Sequence, residues 1–135
     1  MCSMKDLKLA RALLQAAYRD LKALNAMLDS SVFAEEIIGI HVQQDADKSI
    51  KAWLCALGDV FPYTHDLNIL LTRLEGFECD VGAFRELLLF NPFAVELRYE
   101  VLTGDTEPIN RTEAIALVKV LYQQVNEFVT NQIGA

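Results

Sequence analysis

The sequence predicts an all-α fold: an antiparallel up-and-down four-helix bundle, with an extra short helix and an extended connection before the last helix. Three observations predict it. Apolar residues recur at steps of three and four along several stretches, the spacing of one helix face. The breaks between those stretches hold capping residues, glycine or proline. With 135 residues, 53% of them hydrophobic, the chain has the size and apolar content for one domain, residues 1–135, around a real core.

The first helix is expected over residues 4–28. Leu7, Ala10, Leu14, Ala17, Leu21, Leu24 and Leu28 alternate at three and four, and no Gly or Pro interrupts them. Asp29, Ser30 and Ser31 form a short polar break with good N-capping residues. Glu35 and Glu36 then fall in the first turn of a second helix, where the helix dipole favours acids. That helix should run to about Leu57 and stop at Gly58. Gly39 inside it costs ~1 kcal/mol relative to Ala and admits close packing.

The second helix has two unlike sides. Val42, Ala46, Ile50, Trp53 and Leu57 share one face. Gln43, Asp47 and Lys51 form a polar row at four-residue steps, with Gln44 and Lys48 beside it. Asp47 stands four residues before Lys51, the favoured order for an ion pair, worth ~0.3 kcal/mol if exposed. Pro62 disfavours helix at Phe61. Thr64 is then a plausible N-cap for a third helix from His65 to about Leu74, with Leu67, Leu70, Leu71 and Leu74 inward. Asp80 can cap a short helix from Val81 to Phe90, with Phe84, Leu87 and Leu88 inward.

From Phe93 the rhythm changes. Phe93, Val95, Leu97, Tyr99 and Val101 alternate with smaller or charged residues, the period of a strand. One strand cannot bury itself in a helical monomer, so an extended connection is expected. After the turn-rich loop 103–108, Asn110 or Thr112 can cap a last helix reaching about Asn131. Ile115, Val118, Tyr122, Val125 and Val129 make its stripe, widened by Leu117, Leu121 and Phe128. Trp53, Tyr99 and Tyr122 fall on core faces and read as packing residues.

Charge and cysteine usage bound the function. The net charge of −7 argues against broad nucleic-acid affinity, which needs a cationic surface. The charge is uneven: residues 1–26 carry five basic and two acidic side chains, and the remainder is net −10. A solvated basic face on the first helix accounts for this, and a patch facing a nucleotide or an acidic partner is the sharper reading. Cys2, Cys55 and Cys79 form no CxxC pair, and two histidines are too few for an ordinary zinc site. No ExxH spacing suggests a di-iron bundle, so no metal or other cofactor is expected. No run of eighteen apolar residues exists and the N-terminus lacks an apolar leader, so neither a membrane span nor secretion is expected and a cytoplasmic location follows.

Three pieces of the chain carry a family resemblance. The stretch from Gln43 to Leu54 has the pattern QQxxxKxxKAxL and resembles the second core helix of HEPN domains. Thr64-His65-Asp66-Leu67 resembles the element that opens the family's next helix. Phe93-Ala94-Val95-Glu96-Leu97-Arg98-Tyr99 resembles the segment before its last helix. The pieces occur in family order and, with their helices, span most of the chain. The resemblance implies a small helical bundle, often found beside minimal nucleotidyltransferases and commonly self-associating, so a homodimer is expected.

Many HEPN domains are RNases marked by an Arg followed by a His after four to six intervening residues. No Arg here has a His at that distance: after Arg98 stand Thr103, Gly104 and Asp105, and after Arg111 stand Ala116, Leu117 and Val118. Without that His the expected proton carrier is missing, which argues against catalysis. An RNase whose His is His41, His65 or a partner's remains the alternative, as does a purely structural adaptor. The resemblance also implies nucleotide binding, although no Gly-rich phosphate loop is present. A site would be built from Lys48, Lys51 and Arg98 toward phosphate, with Gln43, Gln44 or Asp47 toward base or ribose. His65 and Asp66 complete the candidate set. The plainer account is a solvated face with one or two ion pairs, with Asp66 complementing a helix dipole.

Overall fold

The structure is a computed structural model that describes residues 6–28, 35–94 and 110–134. Its helices are α1 (Leu7–Met27), α2 (Glu35–Ala56), α3 (Leu67–Gly76), α4 (Gly82–Phe93) and α5 (Arg111–Gly134), of which α4 is of the tighter 3₁₀ type. No strand occurs among the described residues, so the all-α class holds. The Asp29-Ser30-Ser31 break, the alternating segment beyond Ala94 with Arg98 and Tyr99, the 103–108 loop and Cys2 lie outside the described residues.

The predicted stripes are the core. On α1, Ala10, Leu14, Ala17, Leu21 and Leu24 are buried, while Leu7 and Leu28 at the ends are half-buried. Leu67, Leu70, Leu71 and Leu74 of α3 are fully buried. On α5 the buried residues include Ile115, Val118, Leu121, Val125 and Val129. Trp53 meets Phe84 edge to face with centroids 6.4 Å apart, fastening α4 to α2.

Helix α2 is the central element, packing against α1, α3, α4 and α5. From Ile50 to Ala56 every residue is buried. Gly39 explains one of these contacts. A Cβ there would lie 2.6–2.8 Å from the Phe93 ring, itself buried, so the missing side chain lets that ring sit directly on the α2 backbone.

The helix ends refine the sequence reading. Asp6 caps α1 by accepting from Leu9 N at 2.9 Å. The N-cap of α3 is Asp66, which accepts from Asn68 N at 2.9 Å; Thr64 instead accepts from Asp66 N at 3.0 Å, holding the approach to the cap. The last helix is capped by Asn110, which accepts from Glu113 N at 3.1 Å. Helix α4 continues through Asn91 and Pro92 to Phe93, past the expected end at Phe90. Pro92 brings no N–H, and the final turn closes through Ala94 N donating to Asn91 O at 3.0 Å.

Candidate functional site

The polar residues of α2 divide into two groups on opposite flanks. Toward α3, Gln43, Asp47 and Lys51 converge on His65 in the segment leading into the helix. Gln43 Nε2 donates to the His65 backbone oxygen at 2.8 Å. The His65 ring places Nδ1 2.8 Å from Asp47 Oδ2, a contact made when that nitrogen carries the proton. Lys51 Nζ pairs with Asp47 at 3.0 Å to Oδ1 and 3.2 Å to Oδ2, and also lies 3.4 Å from His65 Nδ1. Only the Oδ2 approach has hydrogen-bond geometry; the Oδ1 approach is an ion pair without the directional bond. The Lys51 ammonium also sits 5.5 Å above the centre of the Phe61 ring.

Toward α1, Asp20 gathers His41 and Lys48. Lys48 Nζ donates to Asp20 Oδ2 at 2.6 Å, and His41 Nδ1 lies 3.2 Å from Asp20 Oδ1. Asp45 sits beside this group and is fully buried. Ser49 Oγ approaches one of its oxygens at 3.4 Å, and the other oxygen has no partner. Burial first, and the neighbouring Asp20 carboxylate second, push the Asp45 carboxyl up to about 8, against smaller opposing effects of Ser49 and Lys48. Burial likewise raises the Tyr122 phenol, with Tyr18 and Asp45 adding to it.

The sequence reading placed Gln43, Asp47 and Lys51 on a polar ridge. In the fold they are 1%, 5% and 8% exposed, so the row is interior, not a solvated face. The reason is that α2 packs against all four other helices. Gln44 and Lys48 are half-buried, and His65 keeps about 40% of its side chain exposed. Asp66 belongs elsewhere: besides capping α3 it accepts from Asn91 Nδ2 at 2.9 Å, and Asn91 Oδ1 accepts from Leu67 N, tying the start of α3 to α4. Arg98 lies outside the described residues.

Asp20 and Asp45 were not singled out from the sequence. Asp20 had a signal: it interrupts an apolar helix edge between Ala17 and Leu24 and, with Asp6, supplies all the acid of residues 1–26. Asp45 had none, because an acid amid Gln, Asp and Lys reads as surface. Among the described residues no group of His, Cys, Asp and Glu could hold a metal ion. Cys55 and Cys79 are unpaired thiols; burial pushes Cys55 up to about 11 and raises Cys79, so neither is disposed to be a nucleophile. Among the described residues no helix is long and apolar enough to cross a membrane.

Chemically, the α3 flank offers a carboxylate-oriented imidazole beside an ammonium, whereas the α1 flank offers a lysine already paired with Asp20. No curated protein and no solved structure matches the chain. The family model described as HEPN domain matches residues 10–128, which takes in both polar groups and most of the chain, and the chain therefore belongs to the HEPN domain family.

Proposed function

We propose that this chain is a single, non-catalytic HEPN domain, an up-and-down four-helix bundle that acts by binding a protein partner such as a minimal nucleotidyltransferase. The observation that carries the choice of a protein over a nucleotide is the state of the two lysines. Lys48 is held by Asp20 and Lys51 by Asp47. A phosphate would have to displace a carboxylate from each, and Lys51 would have to leave the interior. The domain self-associates and works in the cytoplasm in this reading.

The test titrates labelled ATP and GTP, and a co-expressed minimal nucleotidyltransferase, against wild type and Lys48→Ala. Co-purification with the nucleotidyltransferase and no saturable nucleotide binding are expected. Saturable nucleotide binding that Lys48→Ala abolishes would return the site to the nucleotide reading.

One observation favours a second reading, an RNase with an atypical centre. The His65 imidazole, partly open to solvent, is oriented by Asp47 and neighboured by Lys51. That is the arrangement of a general base with a nearby cation. RNA cleavage by wild type that is lost in His65→Gln would support it.

A further inference from the structure

Most of the described cations fall into two groups. Lys48, Lys51, Arg73 and Arg85 each pair with an acid, on Asp20, Asp47, Asp59 and Glu75. Among the described residues Lys119 of α5 pairs with no acid, and neither do Lys8, Arg11, Arg19 and Lys22 of α1, although the chain has 19 acidic residues to 12 basic ones. The four of α1 are exposed and lie on its outer side, at steps of three, eight and three. On a helix these steps keep them within one face, in a stripe about 21 Å long. Gln15 and Tyr18 lie among them, and the Lys22 ammonium sits 5.7 Å from the centre of the Tyr18 ring.

No acid interrupts the stripe. The two acids of α1 and its cap are both engaged elsewhere, Asp6 at the helix start and Asp20 inside. The stripe continues onto α5, where Tyr18 meets Tyr122 at 5.8 Å. Arg11 and Gln15 share a shallow groove with Tyr122, Asn126 and Thr130 of α5. Like charges three or four apart on one helix disfavour it by a few tenths of a kcal/mol per pair. Among the described residues no acid offsets that repulsion, which an external anion would relieve.

We propose that the outer face of α1 is a docking surface for an acidic amphipathic helix of a partner protein. Charge complementarity selects an anion. What selects a helix over a nucleic-acid strand lies beside the cations. Ala12 and Ala26 are exposed, Ala16 and Ala23 half-buried, and Leu9 is 40% exposed. These residues make a low apolar ridge along the stripe, against which a second helix can pack closely and which a phosphate backbone would leave uncovered. The rest of the chain, net −10, would also repel a long polyanion running beyond the stripe. A helix of matching length ends where the cations end.

The inference deepens the protein-partner reading by giving the partner a chemistry and a place. The probe is a labelled helical peptide of about 20 residues, with Glu on one face and Leu and Ala beside it. Its Glu→Gln counterpart and a single-stranded RNA of similar length are compared with it by fluorescence anisotropy. Saturable binding of the acidic peptide is expected, weakened roughly tenfold by Arg11→Glu with Arg19→Glu, and weakened also by raising salt from about 0.05 M to about 0.5 M. Arg11→Lys with Arg19→Lys should keep binding within about twofold. Neither cation pairs with an acid among the described residues, and circular dichroism checks that the variants fold.

Three results would overturn the proposal: no saturable peptide binding, equal binding by the charge-reversed variant, or preference for the RNA. A nucleotidyltransferase captured equally by wild type and the charge-reversed variant would also remove this face from the interaction, while leaving the protein-partner reading itself intact.

Discussion

Replacing Asp45 by Asn should stabilise the protein, and the gain should grow with pH. In the fold this carboxyl is fully buried, one of its oxygens lacks a partner, and it stays protonated up to about pH 8. In the unfolded chain it ionises with its ordinary value of 3.8. Between about pH 4 and pH 8 the folded state therefore holds a proton that the unfolded state releases, and stability falls as pH rises. Below that window both states are protonated and the effect vanishes; above it the loss is complete and constant.

At about 1.4 kcal/mol per unit, the displacement amounts to an upper bound of roughly 4 kcal/mol at pH 7. Relaxation and water entry reduce it, and the new amide must itself find partners, at ~1–3 kcal/mol. We expect Asp45→Asn to gain ~1–3 kcal/mol at pH 8 relative to its effect at pH 5. Urea unfolding followed by Trp53, the single and buried tryptophan, measures this directly. Parallel stability curves for wild type and variant between pH 5 and pH 8 would refute the reasoning, since the carboxyl would then ionise normally in the fold.

Gly39→Ala should destabilise the protein by ~1–2 kcal/mol, because overpacking against the Phe93 ring outweighs the gain of ~1 kcal/mol in helix propensity. Thermal melts should show the loss, and adding Phe93→Leu should recover part of it. Asp66→Ala removes both the α3 cap and the bond from Asn91, and should lower the urea-unfolding free energy by ~1–2 kcal/mol. Asp80→Ala should lower it by less, since Asp80 accepts a bond from Gly82 N at an exposed position.

The apolar half of this fold was legible in the sequence because periodicity reports burial directly. Leu67, Leu70, Leu71 and Leu74 could be assigned to one face without knowing what lay opposite, and all four are buried. The polar half was less legible. Gln43, Asp47 and Lys51 form the same row whether water or protein faces them, and only the neighbours of α2 decide which. The cap of α3 was misplaced by two residues because Thr64 and Asp66 are both capping types. The choice depended on Asn91, far along the chain, which binds Asp66 and the first N–H of the helix. The basic bias of residues 1–26 was visible from counting. That Lys8, Arg11, Arg19 and Lys22 pair with no acid among the described residues was not, since pairing is a property of the assembled helices.

The contact of Asp20 with His41 and Lys48 has a mechanical consequence. It is a lateral bolt between the first two helices, set about two-thirds of the way along α1, with cations outward of it and alanines alongside. A lengthwise slide of α1 by one turn, about 5.4 Å, would pull the carboxylate from both nitrogens. Because both nitrogens belong to α2, this one carboxylate fixes the axial register of α1 against the central helix.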